Sequence, residues 1–431
     1  MDPIARSSTV ELGADHSLGS GVFSSIGLHD PSRRWRRSGW RGGQRLSDRL
    51  SLHKPQSCGF DGVGAEYDRV RMTAPTFIDL FSGAGGLTLG LEDAGWTCLG
   101  ALDSWDDAVA TYRKNISTHP AHEVDIHEVE GAWLAKHVPD RPDWVVGGPP
   151  CQGWSTVGKR LWDDDRNELF TEFMRVVSLL RPPNFLIENV IGLKDMGAAP
   201  DVRTLFAGIG YEVSFHVVRA ADYGVPQLRR RVIFVGSREG LSVEKPPATF
   251  REDEFTTVWD AIGDLPPVGP GETATRYDRP PFTNYQETIR EGSDELQGHT
   301  VSAHPPHLVK AISFIPDGGN RTAIPVEYQP SSGWHNTYSR LDSKEPAVAV
   351  TSNLGKPSGT RCVHPFQDRG LTAREGARLQ SFPDQFHFEG GIVSQRLQIA
   401  NAVPPMLARA LGESLVDLGA WAEPRVLAEI A

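Results

Sequence analysis

Thr76-Phe77-Ile78-Asp79-Leu80-Phe81-Ser82-Gly83-Ala84-Gly85-Gly86-Leu87 is the stretch on which the fold turns. Its first six residues read as a short buried β-strand. A glycine-rich turn follows, and Leu87, Leu91 and Ala94 then recur at helical spacing. Strand, glycine turn and helix form the opening unit of a nucleotide-binding α/β sheet. Glycines let the backbone approach a ligand closely, and the helix amino end offers free N–H donors. The turn lacks the Lys-Ser/Thr ending of a phosphate-binding loop, and its glycine spacing differs from the dinucleotide fingerprint. A nucleoside-type cofactor without a pyrophosphate fits it better.

The next segments extend that unit. Leu99-Gly100-Ala101-Leu102 reads as a second strand ending at Asp103, where a carboxylate can accept hydrogen bonds from both ribose hydroxyls. Val124-Asp125-Ile126 reads as part of a third strand, with a carboxylate and an apolar face suited to an adenine ring. The plainer reading of a lone Asp at such a place is a helix cap or loop residue.

Trp144-Val145-Val146 is a further short apolar strand, and Gly147-Gly148-Pro149-Pro150-Cys151-Gln152-Gly153-Trp154-Ser155 follows it. Prolines and glycines put Cys151 on a rigid turn at the carboxyl end of that strand, the edge where open α/β sheets bind ligands. A nucleophilic thiol and a buried structural thiol both fit this pattern. Further on, Arg229 and Arg231 alternate around Arg230, so a strand would send the outer two to one face. Val232-Ile233-Phe234-Val235 continues as a buried strand.

The ordered set of segments resembles the DNA cytosine-5 methyltransferases of bacterial restriction–modification systems. The resemblance runs from Phe77 to about Leu415. It comprises Asp79 to Gly86, Pro149-Pro150-Cys151-Gln152, Arg166-Asn167-Glu168-Leu169-Phe170 and Glu188-Asn189-Val190. Tyr223 to Arg231, Leu371-Thr372-Ala373-Arg374-Glu375, Arg378 to Pro383 and Gln398 to Pro405 complete it.

That resemblance implies an S-adenosylmethionine-dependent, Rossmann-like, doubly wound α/β fold with a second, smaller target-recognition domain. It implies that Cys151 adds to carbon 6 of a cytosine, making carbon 5 able to attack a sulfonium methyl group. Glu188 would contact ring nitrogen 3 and the exocyclic amine, and Arg229 and Arg231 would hold the ring carbonyl and brace Glu188. Glu188 has a plainer reading as a helix-capping carboxylate. Phe81, Gly83, Gly85, Gly86, Asp103, Asp125, Ile126, Pro149, Leu169, Asn401 and Val403 would line the S-adenosyl-L-methionine site. Two positions depart from the family pattern, Asp103 where Glu is usual and Ala400 where Gly is usual. The target carbon lies inside duplex DNA, so the cytosine would be flipped out of the stack. A methyltransferase acting on RNA and a non-catalytic DNA-binding module of the same fold are the alternatives.

Composition bounds the rest. The chain has 431 residues and a net charge of -11, unusual for a DNA binder. Phosphate contacts need local rather than total positive charge. Lys159-Arg160, Arg229-Arg230-Arg231 and the arginines around Arg369 and Arg374 are the expected basic cleft. Cys58, Cys98, Cys151 and Cys362 lack paired metal-ligand spacing, so no metal is expected, and they fit a reducing cytoplasm. No apolar run is long enough for a membrane span, and no signal peptide is visible. The expected enzyme is a monomer acting on double-stranded DNA, with a cognate restriction endonuclease as a separate protein.

Residues 1–71 do not match the family. Rich in Ser, Gly and Arg, they read as a loose arm or as an extension upstream of a start at Met72. Residues 72–237 read as the catalytic and cofactor domain, 238–365 as the target-recognition domain, 366–391 as a hinge and 392–431 as a segment returning to the first domain. Arg321, His335, Asn336, Arg340, Asn353 and Lys356 are the candidates for base contacts.

Overall fold

Strand β1 (Thr76–Leu80) lies inside a seven-stranded sheet of order β3-β2-β1-β4-β5-β7-β6. The computed structural model describes residues 74–138, 140–150, 168–195, 197, 199–330, 337–359 and 361–416. The strands are β2 (Thr97–Asp103), β3 (Ala121–Glu123), β4 (Trp144–Gly147), β5 (Asn184–Val190), β6 (Glu212–Arg219) and β7 (Arg230–Ser237). Strands β1 to β5 pair in parallel, and β7 runs antiparallel between β5 and β6.

Alternation along each strand explains the layers. Ile78 and Leu80 of β1 face one side with Val145 and Ile187. There they meet Phe170, Phe173, Val177 and Leu180 of α4 (Glu168–Leu180) and Val202 and Phe206 of α6 (Ala199–Ala207). Phe77, Trp144, Val146 and Leu186 face the other side. They pack on Leu87 and Leu91 of α1 (Gly86–Asp93) and on Leu407 and Leu411 of α12 (Pro405–Leu415). A sheet covered on both faces needs apolar residues at successive positions, and that is the pattern of these strands. Helices α2 (Asp106–Asn115), α3 (Gly131–His137) and the single turn α5 (Gly192–Asp195) complete this part.

The third strand is shorter than expected and sits earlier, over Ala121–Glu123. Val124-Asp125-Ile126 is not a strand, and Asp125 instead caps a 3-10 turn over Ile126–Glu128. Its side chain accepts from the His127 N–H, a local bond that competes with sheet pairing.

Beyond β7 no further strand joins the sheet among the described residues. Short helices α7 (Val258–Ile262), α8 (Asn284–Arg290), α9 (Pro306–Ile312) and α10 (Ala373–Leu379) punctuate long connections before α11 (Ile392–Asn401). Val258, Ile262, Tyr285, Leu341, Leu354, Leu371, Leu379 and Phe382 gather here into one apolar cluster.

Arg369 and Arg374, expected in a basic cleft, are instead interior, as is Arg378. Arg369 donates to both Glu375 carboxylate oxygens at 2.9 and 2.7 Å. Arg378 joins Asp264 and Asp384, and Arg374 donates to the carbonyls of Gln297 and Phe386. Arg340, a candidate for base contact, is likewise buried, bound to the carbonyls of Ile312, Ile315, His364 and Gln367 and to Asp368. A guanidinium's planar fork of donors suits such multiple capture, and it leaves these groups nothing to offer a DNA surface. Lys159 and Arg160, and the candidates His335 and Asn336, lie outside the described residues.

Candidate active site

Chain connections leave β1 and β4 in opposite directions across the sheet, and ligands of open α/β sheets bind at the carboxyl ends of such strand pairs. A cleft of about 850 Å³ opens there. Its size lies within the usual range for small-molecule sites, about 300–1,000 Å³.

The first turn supplies one wall. Phe81 follows β1 in a left-handed conformation (φ 58), uncommon for a residue with a β-carbon and found most often where function over-determines the backbone. Phe81 and Gly83 line the cleft, whereas Gly85 and Gly86 do not. An added Cβ on Gly85 would meet Ile116 and Tyr112 at 2.7–2.8 Å, and one on Gly86 would sit 2.3 Å from the Val403 carbonyl. These two glycines serve close packing of the turn against α2 and the carboxyl-terminal segment.

Asp103, at the end of β2, accepts from the Gly83 N–H and the Trp105 N–H, each at 2.8 Å. It thereby ties the glycine turn to the second strand. Burial raises its pKa from the ordinary carboxyl range. Asp125 and Ile126 continue the wall. Asp125 is exposed; the His127 backbone N–H at 3.0 Å and then His127 Nδ1 at 2.5 Å hold its carboxyl below the usual range, and the side-chain contact raises the imidazole. Leu169, Asn401 and Val403 close the cleft from other parts of the chain, with Ala400 beside them in the regular helix α11. Helical backbone needs no glycine, which accounts for alanine at that position.

Pro149 and Pro150 form the rim that leads directly into Cys151. Cys151 itself, with Gln152 to Asn167, lies outside the described residues. The neighbouring strand fixes this rim, because Asn189 donates its side-chain N–H to the Pro149 carbonyl at 3.0 Å.

Glu188 sits within β5, not at a helix cap, and faces the same cleft. Arg231 Nε lies 2.7 Å from Glu188 Oε1. The approach is out of line for a hydrogen bond, so the contact is Coulombic and Oε1 retains its acceptor capacity. Arg229 and Arg231 are buried and Arg230 is exposed, as alternation requires. Arg229 donates to the Ala400 carbonyl at 2.8 Å and leaves its Nε without a partner. Burial, aided by the charge on Arg231, lowers its pKa to about 9. Gln227, beside them in sequence, is fully buried and braces the site rather than lining it, through Leu379, Gln380 and Val350.

Several cleft residues were given no role of their own from the sequence. Asp79 is buried in β1, accepts from the Thr88 hydroxyl at 2.6 Å and leaves its second oxygen without a hydrogen-bond partner. Burial raises its pKa to about 7. Trp105, Asn189, Thr351 and Gln398 also contribute to the lining. An aromatic residue two places after Asp103 was the one available hint, because an indole face suits a heteroaromatic base.

The profile of the C-5 cytosine-specific DNA methylases matches residues 75–417. The chain is 37% identical over 350 residues to the Type II methyltransferase M1.HphI of Haemophilus parahaemolyticus, covering 80% of this chain and 87% of that protein. It is 35% identical to M.DdeI of Desulfomicrobium norvegicum, covering 78% and 88% respectively. Among solved structures, a prophage-encoded protein of E. coli described as a DNA modification methyltransferase superposes with a TM-score of 0.65 at 26% identity, covering 80% of this chain and 99% of that one. On the strength of the profile match and the bacterial relatives, this chain belongs to the C-5 cytosine-specific DNA methylases, which carry a methyl group from S-adenosylmethionine to carbon 5 of cytosine in DNA.

Proposed function

We propose that Cys151 is the nucleophile of this methyltransferase and that Glu188, Arg229 and Arg231 hold the cytosine ring against it. The observation that carries this reading is the meeting of Glu188, Arg229 and Arg231 with Pro149 and Pro150 in one cleft, one residue from Cys151. S-adenosylmethionine supplies the methyl group as a sulfonium. Phe81, Gly83, Asp103, Asp125, Ile126, Pro149, Leu169, Asn401 and Val403 are the residues that would hold it. The cleft suits such a ligand in size, and the buried, unpartnered Asp79 oxygen is an acceptor for a cationic group.

The chain's own residues then do the following. Cys151 attacks carbon 6 as thiolate, and the electron pair moves to carbon 5. Glu188 contacts ring nitrogen 3 and the exocyclic amine, where charge builds as the thiolate adds. Arg231 orients Glu188 through their ion pair, and the free Nε of Arg229 is a donor for the ring carbonyl. Asn189 keeps the Pro149-Pro150 rim against β5. Carbon 5 then takes the methyl group, its proton passes to water, and the returning electron pair expels Cys151 as thiolate. Flipping the cytosine out of the stack costs roughly a few kcal/mol.

Residues 238–365 are proposed as the target-recognition region, 366–391 as its hinge and 392–431 as the return to the catalytic part. The enzyme is read as a cytoplasmic monomer that modifies duplex DNA, with a cognate endonuclease as a separate protein. No helix among the described residues is long and apolar enough to cross a membrane.

The test is Cys151→Ala. The variant is expected to bind cofactor and duplex DNA but to incorporate no methyl groups, and substantial residual incorporation removes Cys151 from the mechanism. Bisulfite sequencing of DNA from cells making the wild-type chain reports both activity and target sequence.

A further inference from the structure

The carboxylate read as the adenine contact is held in place by a histidine. His127 belongs to the 3-10 turn that Asp125 caps, and its side chain lines the same cleft. Its backbone N–H and its Nδ1 both meet Asp125 Oδ1, at 3.0 and 2.5 Å. Asp125 Oδ2 has no hydrogen-bond partner among the described residues. The other ring nitrogen, Nε2, lies 3.2 Å from Glu168 Oε1, in the first turn of α4. Among the described residues, His127 is the one histidine with a carboxylate within 4.0 Å of each ring nitrogen.

That geometry selects the charged ring. A neutral imidazole carries one N–H, and its second nitrogen offers a lone pair that a carboxylate repels. The imidazolium has a donor on each side and satisfies both acids at once. The hydrogen bond to Asp125 is the main cause of the raised imidazole pKa, desolvation opposes it, and the charges of Asp125, Glu168 and Glu172 add to it. Glu172 in turn holds Arg175, whose guanidinium donates to the carbonyls of Ile126 and Val129, each at 2.8 Å. Arg175 therefore fastens the backbone of the turn to α4 whatever the state of the ring. His127 adds a second tie, which acts on the Asp125 side chain and lasts only while the ring is charged.

We propose that His127, as imidazolium, is a positioning residue for S-adenosylmethionine: bridging Asp125 and Glu168, it fixes one carboxylate oxygen of Asp125 and leaves the other for the exocyclic amine of adenine. The proposal rests on the reading of Asp125 as a cofactor residue. The proton on His127 and the cofactor then favour each other's binding. Cofactor affinity is full while the ring is charged and falls as pH rises through the imidazole's pKa, which lies above 6.5. Asp79 in the same cleft works in the opposite sense, because its ionisation with rising pH favours a cationic ligand. Comparing variant with wild type at one pH cancels that share.

The test is calorimetric titration of the full chain with S-adenosylhomocysteine, at pH values below and above the titration of the ring. His127→Gln is expected to weaken binding about fivefold at the lower pH and to match the wild type at the higher one. Its thermal midpoint should hold, because Arg175 still fastens the turn. Glu168→Gln is expected to show the same loss. By reciprocity, the His127 ring resonance, followed by NMR, should titrate at higher pH with S-adenosylhomocysteine bound than without. Asp125→Ala is expected to weaken binding at both pH values. If it does, equal affinity of His127→Gln and wild type at the lower pH overturns the role of His127 alone. A loss in His127→Gln that does not vary with pH, or a ring titration unmoved by the ligand, has the same consequence. Unchanged affinity in Asp125→Ala overturns the reading of Asp125 and the proposal with it.

Discussion

The sheet and the region after Ser237 are both well packed, but by different means. Around the sheet, apolar side chains do the work, with Ile78, Leu80, Phe173 and Ile187 on one face and Phe77, Trp144, Val146 and Leu186 on the other. After Ser237, an apolar cluster shares the interior with charged networks, chiefly Arg378 with Asp264 and Asp384 and Arg369 with Glu375. Regular strands satisfy their own backbone groups, so their side chains are free to be apolar. Long irregular connections expose carbonyls that need outside donors, and buried arginines supply them. Arg340 and Arg374 show this most directly, because most of their bonds go to main-chain oxygens. Such an interior is more sensitive to the loss of one member, because the partners stay behind unsatisfied.

Breaking the ion network is expected to have the largest effect. Arg378→Met removes the guanidinium shared by two buried carboxylates, leaving Asp264 only Arg290 and Asp384 only Arg374 and Tyr277, and should lower stability by about 3–5 kcal/mol, read from urea unfolding. A deletion in the apolar half should come lower in that order. Leu186→Ala removes buried methyl groups but leaves no polar orphan, at a cost of about 3 kcal/mol in the same assay. An equal or reversed ranking would remove the distinction drawn between the two regions.

The response to pH sharpens the comparison, because the two halves pull in opposite directions. Burial raises the pKa of Asp79, beside β2 and α1, from 3.8 to about 7. The folded state therefore holds that proton more tightly, and the associated stability is present below about pH 4 and lost as pH rises through 7. In the other half, burial lowers the pKa of His364 from 6.5 to about 3, with Arg369, Arg340 and His299 adding to the effect and Glu375 opposing it. Its contribution is present above pH 6.5 and lost as pH falls toward 3. Each is worth at most about 4–5 kcal/mol. Asp79→Asn should flatten the loss of stability at the alkaline end, and His364→Gln the loss at the acid end. Urea midpoints measured across this pH interval check both, and a pH profile unchanged in either variant contradicts its assignment.

Much of the site was legible in the sequence. The glycine turn, Asp103, the Pro149-Pro150 rim, Glu188 and the alternation of Arg229 and Arg231 all converge on one cleft. Each of these depends on short-range pattern, namely a strand end, a turn or a two-residue period. Gly85 and Gly86 show where that reasoning stops. Their need for glycine is real, but it comes from Tyr112, Ile116 and Val403 rather than from a ligand. Asp125 shows a second limit, since a three-residue window did not separate a strand from a capped turn.

By itself, the chain's order of apolar runs and glycine turns determined an α/β sheet and the edge at which its chemistry sits, because local periodicity dictates which face of each element is buried; the doubly wound arrangement was what the family resemblance implied. The destination of charged side chains was a different matter. Arg369, Arg374 and Arg378 read as a basic surface, and only the tertiary structure turned them inward, because the carboxylates of Asp264, Asp384 and Glu375 and the carbonyls of Gln297 and Phe386 enclose them there. A charge goes where its partners are, and two of these, Asp264 and Gln297, lie 114 and 77 positions from the arginines they hold, beyond any local pattern.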